Sequence, residues 1–206
     1  MNSIRKSILG GAFISLGAFA FLITLQKTNN IVISSMMFYL GLSLIMITKQ
    51  NLFTGQILTK AELPLQEYIK TLSITWIGNF IGSIVTTILL SIILHPDISQ
   101  MMINKMSLDP IQMLVSSCFC NILVCCAVVN YNGTRNHLMS AFFITIFVIL
   151  GFEHSIADMT YYTLAMIDGI NMNIANRIIS LVIISIGNII GGRLVVEIMK
   201  QNRKED

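Results

Sequence analysis

Residues Phe143 to Met159 read FITIFVILGFEHSIADM, an apolar run that ends at Gly151 and is followed at once by Glu153, His154 and Asp158. In a bilayer an ionisable side chain costs about 3 kcal/mol unless it faces protein or water. A glycine placed before such a cluster is where a helix can break, and the freed backbone groups then need a protein-lined cavity. Two readings fit the stretch by itself. It builds a site for a small polar solute, or a membrane helix simply ends at Gly151 and leaves His154 in an ordinary loop. A second polar break at the corresponding place in the first half favours the site.

The rest of the composition is that of a membrane protein. Charged residues make up 11% of the 206 positions, and mean hydropathy is +0.77. Globular domains in water carry roughly 25% charged residues. The length accommodates about six membrane helices of roughly 20 residues each with short connections. The net charge of +3 is spread over loops and tails and forms no basic stripe, which argues against nucleic acid as a partner. Cys118, Cys120, Cys125 and Cys126 sit in an apolar run without a histidine or carboxylate beside them. They read as small packing residues, so neither a metal nor a cofactor is expected. Arg5 and Lys6 precede the first span, whose small residues continue without a clear cleavage site; it reads as a retained first helix.

In chain order the spans are about Ile8–Leu25, Ile31–Thr48, Leu72–Leu94, Ile111–Val129, a fifth from Leu138 that breaks after Gly151, and Ile178–Met199. Gly10, Gly11 and Gly17 give the first span faces for close packing. Phe38 and Leu42 lie four apart and share one face of the second. After Lys49 the chain reads QNLFTG to Gly55, a polar break followed by a short returning half-helix from Ile57 to Leu63. The segment Lys60–Lys70 reads as a water-facing connection and His95–Asp109 as a loop. Asp158 reads as a structural cap or loop acid, and Tyr161 and Tyr162 as membrane-interface anchors.

Two symmetries organise these spans. GNFIGS in the third is matched by GNIIGG (Gly187 to Gly192) in the sixth, and the break near Thr54 by the break near His154. Three helices per half predict inverted repeats, approximately 1–95 and 110–200, within a single domain spanning 1–206. Arg5, Lys6, Lys49, Lys60, Lys70, Arg135, Lys200, Arg203 and Lys204 fall on one side of such a topology, against Lys27, Lys105 and Arg177 on the other. The bias places both termini in the cytoplasm.

LFTG after the second helix, GNFIGS, GFEHSIADM, GNIIGG and NILVCCAV (Asn121 to Val128) together resemble the formate/nitrite transporter family over nearly the whole chain. The resemblance implies an all-α, aquaporin-like fold of six transmembrane helices with the second and fifth broken. It also implies a homopentamer in the cell membrane, with one pore per subunit for small monovalent anions. Carried onto this chain, it implies His154 as the central pore residue, with Glu153 beside it and Thr54 and Asn188 as its polar neighbours. Phe38, Leu42 and Phe147 are the implied apolar constrictions. Arg135 stands near the place where the family commonly has a lysine, as a substitute for anion attraction.

A bare anion pays a large desolvation cost at an apolar constriction. It crosses either by sharing a proton with His154 or under a positive potential from helix N-termini and basic residues. Formate or nitrite are the implied substrates, with hydrosulfide, which has a neutral conjugate acid, as an alternative. A second alternative is a membrane structural or sensory protein that does not conduct. A water channel is disfavoured because paired Asn-Pro-Ala motifs are absent, and an enzyme because no placed base or nucleotide motif accompanies the cysteines.

Overall fold

The computed structural model describes residues 3–205, which contain nine helices. In chain order they are α1 (Ser3–Thr28), α2 (Ile31–Thr48), α3 (Phe53–Thr59), α4 (Leu65–Ser91), α5 (Ser99–Met106), α6 (Pro110–Thr134), α7 (His137–Ile149), α8 (Ser155–Ile167) and α9 (Ile174–Glu205). Five of these, α1, α2, α4, α6 and α9, are long and apolar enough to cross a membrane, and α7 is a shorter apolar helix. The side chains of Arg203 and Lys204, counted above for orientation, lie outside the described residues.

Local chemistry fixes where the helices start and stop. Asn30 caps α2 by accepting from the Val32 and Ile33 amides. Asp109 and Gln112 form a reciprocal capping box at α6, where Pro110 opens the helix. The Asn136 side chain accepts from Met139 N–H at the start of α7. Lys49 and Arg135 close α2 and α6 in the left-handed conformation, at φ 55° and 56°. Gly151 turns the chain out of α7 at φ 66°, a left-handed conformation that glycine adopts at no steric cost.

Polarity is distributed inside out. Ser15, Thr54, Asn79, Ser83, Asn121, Asp158 and Asn188 are fully buried, whereas Ile77, Val85, Leu89, Phe119 and Phe142 are about half exposed. An exterior of large apolar side chains suits lipid, and the buried polar groups must then find partners within the protein. Small residues let the helices approach closely enough to provide them. A Cβ at Gly82 would fall onto the Ile8 carbonyl, and one at Gly191 onto the Cys118 carbonyl. These two contacts set the parallel pairs α1–α4 and α6–α9, and so relate the two halves. Around them the packing is mirrored: α2 lies on α1 as α7 lies on α6, while α8 packs against α4 and α3 against α9. Each short helix therefore docks on the opposite half.

Several details differ from the sequence reading. The short half-helix after the first break is α3 at Phe53–Thr59 rather than Ile57–Leu63, because the Asn79 carboxamide takes the Phe53 amide and lets the helix begin there. Leu65–Lys70 is not a connection but the first turns of α4, because Pro64 supplies the extended residue before a helix start. The 95–109 loop contains α5, whose Lys105 is buried rather than solvated. Tyr161 and Tyr162 are buried, 6% and 5% exposed, and so are not interface anchors; their rings pack beside Lys105 and Arg177.

Gly82→Val should therefore strip the α1–α4 contact and lower the thermal midpoint well below that of Gly133→Val, whose Cβ meets open space. Melting curves of both variants in detergent test this, and equal losses would refute it.

Candidate functional site

The two chain breaks are held by one device used twice. In the second half, the Asn188 carboxamide oxygen accepts from the Ser155 amide at 3.0 Å. Its nitrogen donates to the Glu153 carbonyl at 3.2 Å and the Ser117 carbonyl at 2.8 Å. In the first half, Asn79 accepts from the Phe53 amide at 2.8 Å. It donates to the Asn51 carbonyl at 2.9 Å and the Ser7 carbonyl at 2.6 Å. The sets correspond residue for residue, and they make Leu52 the counterpart of His154. A carboxamide carries both donor and acceptor, so one side chain satisfies the N–H and C=O that flank a broken turn. Asn121 ties the halves together by donating to the Asn188 carbonyl at 2.7 Å and the Thr54 carbonyl at 3.4 Å.

His154 is both the N-cap of α8 and the polar tip of the break. Its Nδ1 accepts from the Ala157 amide at 3.2 Å, and its Nε2 lies 3.1 Å from the Thr54 hydroxyl. A ring nitrogen that accepts a backbone N–H carries no proton, so this bonding assigns the neutral tautomer with hydrogen on Nε2. That N–H donates to the Thr54 hydroxyl. The Phe147 ring stacks on the imidazole at 5.9 Å and meets Phe38 edge-on at 5.6 Å. His154, Phe38 and Phe147 are 2–3% exposed.

Cavities approach this group from the two ends of the helices. One, of about 370 Å³, is lined by Phe38, Phe147, His154, Glu153 and Lys105. The other, of about 330 Å³, is lined by Leu42, Leu52, Lys49, Lys60 and Arg135. Phe38 belongs to the first and Leu42, one turn further along α2, to the second. Phe38 and Leu42 thus mark the two sides of the barrier between the cavities. Arg135 lies at the mouth of the second cavity with its guanidinium 4.9 Å from the Tyr131 ring centre.

The Glu153 carboxylate bonds to Lys105, not to the imidazole. Lys105 Nζ donates to both of its carboxylate oxygens at 2.9 Å and lies 2.6 Å from Asp158 Oδ1. All three groups are buried, so their charges are held by one another rather than by water. Asp158 belongs inside α8 and is a partner in this cluster, not a loop acid. Asn188 braces the backbone on either side of His154 and does not touch the ring. Sequence reading missed Lys105, which no local pattern marks, and Leu52, which the matching of the two breaks could have found.

The arrangement can offer one N–H to a small acceptor within an apolar neck, between two vestibules. Among the described residues no group of acids, histidines and cysteines is arranged to hold a metal ion.

Residues 1–201 match the formate/nitrite transporter family model. The formate-nitrite transporter of Plasmodium falciparum is 25% identical, over 95% of this chain and 75% of its own length. The nitrite transporter NirC of Salmonella typhimurium is 27% identical, over 78% of this chain and 66% of its own. An uncharacterized transporter of Saccharomyces cerevisiae is 27% identical over 91% of this chain, which spans only 34% of that protein. Among solved structures, a pentameric formate channel with formate bound superposes with a TM-score of 0.81 at 24% identity, covering 99% of this chain and 97% of that one. An FNT family ion channel superposes with a TM-score of 0.84 at 23% identity, covering 97% and 89%. The family match spans nearly the whole chain and the superpositions share its fold: this protein is a member of the formate/nitrite transporter family of membrane transport proteins.

Proposed function

We propose that this chain forms a channel for small monovalent anions, formate or nitrite, with His154 as the central hydrogen-bond donor of the pore. The observation that carries the reading is the imidazole Nε2–H held at the neck between two cavities by the Ala157 amide and Thr54. In this reading α2–α3 and α7–α8 are the broken second and fifth of six crossings, arranged as inverted halves of a single domain. Both termini are cytoplasmic, so the Lys105 cavity is the outer vestibule and the Arg135 cavity the inner one. Five copies assemble in the cell membrane, as the similarity to a pentameric formate channel suggests.

The chemistry follows from the cost of dehydration. An anion at the Phe38–Phe147 pair has lost most of its water, and the neck offers an N–H and the N-terminal end of α8 in return. Because Nδ1 is occupied by a backbone donor, surrendering the Nε2 proton outright would leave an imidazolate. His154 therefore donates a hydrogen bond through Nε2–H without losing its proton, and an anion that crosses as its neutral acid takes that proton from water in the vestibule. Thr54 holds the ring in place between passages. Leu42 and Leu52 close the inner side against water. Lys49, Lys60 and Arg135 supply positive potential at the inner mouth.

In proteoliposomes, purified protein should carry formate or nitrite, and His154→Ala should reduce that flux at least roughly tenfold, the factor of about 1.4 kcal/mol in a lost barrier interaction. The mutant must remain assembled for the comparison to count. Preferred flux of hydrosulfide would reassign the substrate, and no flux of any small anion through inserted protein would leave a non-conducting membrane protein. Thr54→Val keeps the volume and removes the hydroxyl. It should lower flux about threefold to tenfold, the range of one lost hydrogen bond of ~1 kcal/mol, with little change in melting temperature. Flux equal to that of the unaltered protein would remove Thr54 from the mechanism.

A further inference from the structure

The Lys105 cluster has one cation and two acids. An ammonium has three N–H donors. It donates here to both oxygens of Glu153 and lies at ion-pair distance from Asp158 Oδ1, and both Asp158 oxygens are buried with no hydrogen-bond partner. At 2.9 and 2.6 Å from one nitrogen, the two nearest carboxyl oxygens are no more than about 5.5 Å apart, the sum of those lengths. Two carboxylates this close in a buried site do not both ionise readily, because each opposes the other's charge. A single proton on the pair removes the surplus charge and converts an orphaned oxygen to a neutral acid.

The surroundings offer little other compensation. From α6 the nearest ionisable group is the Cys120 thiol, and from α9 it is Arg177, whose guanidinium lies 5.8 Å from the Tyr162 ring centre. On α8 itself Tyr161 faces Lys105 and the Tyr162 hydroxyl has no partner. His154 is neutral by its bonding. The α1 contact is the hydroxyl pair Ser15–Thr160, and the buried face of α4 carries Asn79, Ser83 and Thr87, none of them ionisable. Glu153, Asp158 and Lys105 all line the cavity that leads to His154.

We propose that Glu153 and Asp158 share one proton over Lys105, and that this site sets whether the outer vestibule accepts anions. With the proton bound, the cluster is neutral and an anion reaches His154. With the proton lost, the wall bears a net negative charge a few ångströms from the path, and anions are turned away. The site takes a proton as its ligand, from water in the vestibule. It deepens the channel reading and rests on that reading only for its effect on flux.

Infrared spectra of the purified protein in lipid nanodiscs, recorded across a pH titration in H₂O and D₂O, read the site directly. The expected result is the C=O stretch of one protonated carboxyl per chain at neutral pH, lost on the alkaline side, absent from Asp158→Asn and retained in Asp158→Glu. No protonated carboxyl in the unaltered protein at neutral pH overturns the proposal, as does a band that persists in both Asp158→Asn and Glu153→Gln. In proteoliposomes, flux from the Lys105 side should fall roughly tenfold more than the neutral-acid concentration does from neutral to alkaline pH, the scale of one added charge near the path. Asp158→Asn should follow the acid concentration alone. The same pH profile in both proteins, with the band present, overturns the control of anion entry. A band without flux in either protein means that the channel reading fails while the protonation site stands.

Discussion

The structure depends on the satisfaction of backbone groups where two helices stop inside an apolar exterior. Hydrocarbon supplies no hydrogen bonds, so an unpaired N–H or C=O at membrane depth costs several times a typical net hydrogen bond. Asn79 and Asn188 meet that demand with the same three bonds in each half. Each reaches its break from the long helix of its own half, α4 or α9, and each requires its partner helix to lie close. The glycines at 82 and 191 make that approach possible by leaving room for the facing carbonyls. Small-residue packing and the breaks are therefore one constraint.

Once both breaks are held, they differ in the side chain at the tip. Corresponding positions carry Leu52 on one side and His154 on the other, an apolar plug and a hydrogen-bond donor. The imidazole spends its second nitrogen on capping α8, which determines both its orientation and where its proton sits. The Phe147 ring stacks on the imidazole and Phe38 meets Phe147 edge-on, so aromatic rings cover one side of the His154–Thr54 pair. Capping and tautomer are consequences of one backbone bond.

Electrostatics are kept away from the neck. The Lys105–Glu153–Asp158 group is buried in the wall of one vestibule, whereas Lys49, Lys60 and Arg135 line the other. Fixed charge at the narrowest point would hold an ion rather than pass it. In the proposed channel, charge in the vestibules with a neutral donor between them would avoid that trap.

The membrane class, the interruptions of helix near Thr54 and after Gly151, and the starts of α2, α6 and α7 were legible in the sequence, because they rest on local causes. Apolar runs determine spans, Asn30, Asp109 and Asn136 determine starts, and Gly151 determines one break. The repeat of GNFIGS and GNIIGG pointed to the two bracing asparagines, though not to the backbone as their target. Tertiary structure decided what depends on long-range proximity. It brought Thr54 to His154 across 100 residues and Lys105 to Glu153 across 48, buried Tyr161 and Tyr162, and made Asp158 part of a charge cluster. Local pattern reports what a residue does to its own helix; charge pairing and burial depend on which distant helix lies opposite.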